Sequence, residues 1–167
     1  MTTSPEPAGT LSWRFVLRHP AHFIASGFGV GLAPVAQGTF GTLLALPLYW
    51  LLAPWLDPVA FLLLTALLFV LGVWACGVTG RDLGAADHGG MVWDELVGFL
   101  LVLFFVPATP AAQAAAFLLF RAFDILKPPP IRWLERGLPG GWGVMADDVM
   151  AAFYTLLVVA IYKFMVG

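Results

Sequence analysis

Charge is what this sequence has least of. Of 167 residues only 11% are Asp, Glu, Lys or Arg, against 60% hydrophobic, and the mean hydropathy is +0.90. A soluble domain of this size carries about 25% charged residues, so lipid rather than water has to cover most of this chain. Cysteine is nearly absent. Cys76 is the single one, which excludes an internal disulfide and a cysteine-built zinc site; within the apolar run from Val73 it reads as a packed, inert thiol. Basic residues number 8 and the net charge is −2, with no basic cluster and no interleaved aromatics, which excludes nucleic acid as a partner. Met1 to Leu11 lacks the basic-then-apolar order of a signal peptide. Residues 1–12 are therefore expected to be a disordered tail, and 13–167 a single membrane-embedded domain.

Several phosphatase signatures are missing too. Cys76 has no arginine at the Cys-x5-Arg spacing, no Asp-x-Asp motif occurs, and the histidine motifs of the type-2 phosphatidate phosphatases are absent. The Asp-Gly-x2-Ala-Arg pattern of the CDP-alcohol phosphotransferases is likewise not present.

Long apolar segments are what the chain does have. A membrane helix takes about 20 mainly apolar residues. Thr39–Trp55 (with Pro47 as a kink), Val59–Thr79, Met91–Val106, Ala111–Leu126 and Asp147–Met165 are the expected spans. They predict an all-α, polytopic membrane helix bundle of four to five transmembrane helices, the first being either spanning or re-entrant. Trp13–Ala25, with Arg14, Arg18, His19 and His22, is expected to lie in the interface, and Lys127–Ala146 to form a long polar connection. The tight turns near Asp57 and Pro107 then put Arg14, Arg18, Arg81, Lys127, Arg132 and Arg136 on one side and Lys163 on the other. By the positive-inside rule the crowded side is cytoplasmic.

The acids sort the same way. Asp82, Asp87, Asp94, Glu95, Asp124, Asp147 and Asp148 fall at the cytoplasmic ends of the expected spans, and only Asp57 lies opposite. Carboxylates at membrane helix ends are costly unless solvated, paired or metal-bound. Asp94-Glu95 and Asp147-Asp148 are each expected to open a helix, where the macrodipole favours anions and a purely capping role would suffice. Asp124 is different. It ends a helix, where the dipole opposes it, and calls for Arg121, Lys127 or a cation. Three helices contributing acids point to one metal site. Its hard oxygen donors suit Mg²⁺, Mn²⁺ or Ca²⁺, with Mg²⁺ favoured where a phosphate completes the shell. His88, in Asp87-His88-Gly89-Gly90, reads as an ordinary loop histidine.

Gly27–Gly31, Gly38–Thr42 and Gly140–Gly143 allow close backbone approach to a phosphate. Close helix packing would use the same residues. No Walker lysine follows them. Pro128 to Pro130 stop a helix and hold Lys127 beside the acids.

Four ordered blocks then resemble a known family. They are Gly27–Thr42; Val92-Trp93-Asp94-Glu95-Leu96-Val97-Gly98; Phe120-Arg121-Ala122-Phe123-Asp124-Ile125-Leu126-Lys127-Pro128-Pro129-Pro130-Ile131; and Gly140-Gly141-Trp142-Gly143-Val144-Met145-Ala146-Asp147-Asp148. Together they resemble phosphatidylglycerophosphatase A, a bacterial membrane phosphatase. The resemblance implies Mg²⁺-dependent hydrolysis of phosphatidylglycerophosphate to phosphatidylglycerol and phosphate at the cytoplasmic face of the inner membrane. It implies Asp94, Glu95, Asp124, Lys127, Asp147 and Asp148 as catalytic positions, and Asp94, Glu95, Asp124, Asp148 and Asp87 as metal ligands. Gly38, Thr39, Arg121, Lys127 and Gly141 are the candidate substrate contacts. Gln37 stands where relatives tend to have Pro, Thr42 where Ser is usual, and Glu135 where Asp is typical. The competing readings are another lipid phosphomonoesterase, acting on phosphatidate or lysophosphatidate, and a small transporter or scaffold. A transporter would place its charges near the bilayer midplane.

Overall fold

The computed structural model describes residues 10–166, apart from the side chains of residues 134–136. Among the described residues eight α-helices follow in order: α1 (Trp13–Val16), α2 (Pro20–Ala25), α3 (Gln37–Leu52), α4 (Pro58–Leu83), α5 (Trp93–Phe105), α6 (Pro110–Leu126), α7 (Ile131–Gly137) and α8 (Gly141–Val166), with a 3-10 turn at Val30–Leu32. Among the described residues there is no strand. The all-α expectation is met.

Local chemistry sets the helix ends. Asp57 caps α4 by accepting the Val59 and Ala60 N–H groups at 2.9 and 3.0 Å, with Pro58 in the first position. Proline is pre-shaped for that position, and its missing N–H costs nothing there. Gly84 ends the helix in the left-handed region at φ 68°, which glycine enters without a Cβ clash. Thr109 and Pro110 start α6 in the same manner, and Lys127 closes it at φ 42° before the three prolines.

Helix α5 is the axis of the bundle. Nine of its 13 residues are buried, including Leu96, Phe99, Leu100 and Leu103, and it packs on α3, α4 and α8. At 1.5 Å per residue it is only about 20 Å long, and beyond its first turn it is apolar all round, as suits a helix packed mostly against protein. By contrast, α4 and α8 turn apolar stripes outward. Val59, Leu63, Leu67, Val70 and Trp74 are exposed along α4, and Phe153, Leu157, Ile161 and Phe164 along α8. Both helices have 26 residues and are long and apolar enough to cross a membrane. Two candidate spans therefore stand against the four to five expected. α3, α5 and α6 have 16, 13 and 17 residues; Trp55, Met91 and Val106, counted into the first and third expected spans, lie outside α3 and α5, and α6 is short as expected.

Other boundaries also move. α8 begins at Gly141, so Asp147 and Asp148 lie in its second turn instead of opening it. A capping role for that pair is thereby removed. The expected polar connection from Lys127 contains α7 and the start of α8, and the expected interfacial segment is the two short helices α1 and α2. Nearly all of the expected N-terminal tail lies outside the described residues.

Small residues let the helices close on one another. A methyl at Gly98 of α5 would meet the Asp148 carbonyl oxygen and Phe120 Cζ at 3.0 Å, and Asp148 Cβ at 3.1 Å. At Gly141 a methyl would collide with the Val73 carbonyl of α4. Gly98→Val should therefore push α5 off α8, lowering stability by about 1–3 kcal/mol. Thermal unfolding in detergent micelles checks this, and an unchanged melting temperature would contradict the close contact.

Candidate active site

Alternating helix directions bring the start of α3, the end of α4, the start of α5, the end of α6 and the second turn of α8 to one end of the bundle. A cleft of about 380 Å³ opens there. Its wall on one side is Gln37 and Gly38 of α3; Asp94 and Glu95 of α5, Arg121 and Asp124 of α6, Lys127, and Asp147 of α8 supply the charge. Asp87 reaches in from the loop after α4.

These acids fall into two groups. Asp94, Glu95 and Asp148 offer carboxylate oxygens that all lie within 4.8 Å of one another. Asp94 is 6% and Asp148 2% exposed. Each member of the trio keeps one buried oxygen without a hydrogen-bond partner: Asp94 Oδ1, Glu95 Oε2 and Asp148 Oδ1. Unpaired buried acceptors are rare and call for an explanation. Three neighbouring carboxylates that each keep one such oxygen fit a hard divalent cation, whose ligands are oxygens of this kind.

The second group is paired with cations. Arg121 Nη1 donates to Asp124 Oδ2 and lies 3.6 Å from Glu95 Oε1. Lys127 Nζ donates to Asp147 Oδ2 at 2.6 Å and lies 3.8 Å from Asp87 Oδ2. Asp124 and Asp87, expected alongside the other ligands, pair with Arg121 and Lys127, and Asp124 also reaches Asp148 of the trio. The αL turn at Lys127 swings the ammonium back over α8, which is what the proline stop accomplishes.

The glycine candidates separate. Gly38 lines the cleft next to Glu95 and Arg121. Its N–H, with that of Gln37, belongs to the first turn of α3, where no side chain caps the helix. Gly141 lies against α4, and neither it nor Thr39 is among the residues lining the cleft. Thr42 donates to the Gly38 carbonyl at 2.8 Å and sits 3.5 Å from Arg121 Nη1, supporting the guanidinium from α3. His88 is a loop residue: its Nδ1 accepts the Gly90 N–H at 3.0 Å. Met91 and Ile125 also line the cleft; being apolar, they carry no chemical signal in the sequence.

The same blocks decide the family. The family model described as Phosphatidylglycerophosphatase A matches residues 23–163. The chain belongs to the phosphatidylglycerophosphatase A family. It is 47% identical over 144 residues to Phosphatidylglycerophosphatase A of Haemophilus influenzae, covering 86% of this chain and 88% of that one. To the Escherichia coli K12 protein of the same name it is 40% identical over 152 residues, 90% of this chain and 88% of the other. A Bacteroides thetaiotaomicron protein with the provisional name phosphatidylinositol-3-phosphatase is also 40% identical, over 152 residues, 86% of this chain and 94% of its own. No solved structure matches the chain significantly. Every charged residue of the cleft lies within the stretch that the phosphatidylglycerophosphatase A model matches.

One prediction tests the second group. Lys127→Met leaves the buried Asp147 carboxylate without its ammonium, at a cost of about 3 kcal/mol. Asp147→Asn in the same chain should recover most of that loss. Melting temperatures of the single and double variants check it; additive losses would contradict the pairing.

Proposed function

We propose that this chain is a Mg²⁺-dependent phosphatase that removes the terminal phosphate of phosphatidylglycerophosphate, giving phosphatidylglycerol and inorganic phosphate. The observation that carries this reading is the trio of partnerless carboxylate oxygens of Asp94, Glu95 and Asp148 beside a cleft that also holds Arg121 and Lys127. The family name supplies the substrate. Asp94, Glu95 and Asp148 hold the metal. When bound, Mg²⁺ neutralises phosphate oxygens and supports charge that builds up in the transition state.

The chain's own groups do the rest. Arg121 and Lys127 bind the phosphate oxygens from the α6 side, and the uncapped N–H groups of Gln37 and Gly38 bind them from α3. Water attacks phosphorus as the bond to the glycerol oxygen breaks. Asp147 Oδ2 takes the proton from that water, and Lys127 Nζ gives a proton to the departing alcohol. The 2.6 Å hydrogen bond between Lys127 and Asp147 lets the proton return, so both groups end as they began. Asp124 holds Arg121 in place. Asp87 gives Lys127 a second carboxylate near the loop.

The same reading gives the setting. Four to five membrane-embedded helices, with α5 enclosed by the others, sit in a bacterial cytoplasmic membrane. The cleft faces the cytoplasm, beside Arg81, Lys127 and Arg132, while Lys163 marks the opposite side. Outward apolar stripes on α4 and α8 support lipid contact.

The test is phosphate release by the purified chain from phosphatidylglycerophosphate, phosphatidate and phosphatidylinositol-3-phosphate in mixed micelles. Release is expected from phosphatidylglycerophosphate, lost with EDTA and restored by Mg²⁺. Asp148→Asn should lower kcat by roughly 10²–10³-fold. Preference for the phosphoinositide would move the assignment to that headgroup, and full activity in EDTA would remove the metal from it.

A further inference from the structure

We infer that His22, held by Thr79 and Asp82, is a positioning residue that fixes the start of α5 and hence the Asp94 and Glu95 carboxylates. This rests on the phosphatase reading given above. His22 is 3% exposed on α2. Its Nδ1 lies 3.0 Å from Thr79 Oγ1 and its Nε2 3.1 Å from Asp82 Oδ2. Both partners stand on one face of the last turns of α4, three residues apart, where side chains are neighbours. Phe15 stacks on the ring with centroids 4.2 Å apart, closing the other side.

Burial holds the imidazole below its ordinary 6.5; Asp82 works in the opposite direction, and His19 and Arg18 add to the lowering. The ring is therefore neutral at pH 7. With one proton, it donates from Nε2 to the Asp82 carboxylate and accepts at Nδ1 from the Thr79 hydroxyl. Every polar atom of the ring is used.

The consequence runs along α2. This helix has six residues, too few to hold a position by its own hydrogen bonds. Three residues after His22, the Ala25 carbonyl accepts the Val92 N–H at 2.8 Å. Val92 is the residue before α5, and Asp94 and Glu95 follow it within the first turn. Val92 is also wedged from both flanks. A methyl at Gly27 would come within 2.8 Å of its side chain, and one at Gly41 of α3 within 2.6 Å. With α2 clamped to α4, the N-terminus of α5 has one position. Without the clamp, Ala25 and Gly27 are free to shift, and the two acids shift with Val92.

The experiment compares His22→Ala, His22→Gln, Asp82→Asn and the His22→Ala/Asp82→Asn double variant of the full chain in micelles. Asp82 is half-exposed, so its replacement spares the core if His22→Ala fails to fold. Three quantities are read: kcat, KM for the lipid, and Mn²⁺ binding followed by loss of the free-ion EPR signal. Asp82→Asn and His22→Ala should each lower kcat and weaken Mn²⁺ binding roughly tenfold, with KM within about twofold. The double variant should be no worse than His22→Ala, as expected for one shared interaction. His22→Gln, which keeps a donor for Asp82, should recover part of the loss. Wild-type kcat and Mn²⁺ affinity in Asp82→Asn would overturn the inference. So would a lower yield of folded protein with both quantities unchanged, since that is a brace for stability alone. An unmodified chain that released no phosphate would instead overturn the phosphatase reading.

Discussion

Three carboxylates share a small buried volume that leaves one oxygen of each without a hydrogen-bond partner. Asp94 and Glu95 come from α5, and Asp148 from α8. Like charges this close repel strongly where water is scarce. Of the cations in the cleft, Arg121 is shared between Glu95 and Asp124, and Lys127 between Asp147 and Asp87. Glu95 thus has a share of Arg121, and one oxygen of each trio member still has no partner. A metal ion held between the three carboxylates would account for it, and the surrounding fold is the frame that holds these groups in place.

That frame depends on close backbone approach. α5 and α8 meet at Gly98, beside Asp148 itself, and α3 meets the start of α5 where Gly41 faces Val92. Larger residues at these positions would separate the helices whose acids must converge. Because α5 is enclosed by protein, it needs neither the length of a membrane span nor a polar face. Its first turn therefore ends at the depth of the cleft, within reach of α6 and α8. α4 and α8 are long enough to cross a membrane and turn apolar stripes outward.

Much of this was legible in the residues. Low charge and long apolar runs indicated helices in lipid, and the one-sided distribution of acids indicated a common site. Asp94 and Glu95 do lie in a first turn and Asp124 in a last one. Asp147 and Asp148 misled, since Gly140 to Gly143 looked like a loop; Gly141 and Gly143 are instead buried small residues inside α8, Gly141 against α4. The first and third spans were drawn too long for a related reason, since hydrophobicity does not distinguish a helix from an apolar turn such as Trp55 or Val106, while α4 and α8 run further than expected. The division of the acids into a trio that keeps partnerless oxygens and a group paired mainly with cations depends on where Arg121 and Lys127 swing, which no spacing in the chain reveals. His22 and Asp82 are 60 positions apart in kind of signal as well as in sequence: one looked interfacial, the other a loop acid.

The central claim is that Asp94, Glu95 and Asp148 bind one divalent ion between them. Crystals of the chain grown with Mn²⁺ and measured for anomalous scattering test it directly. The account predicts a peak in contact with oxygens from all three residues. A peak bound by Asp87 and Asp124 alone, or none in the cleft at saturating Mn²⁺, would contradict it.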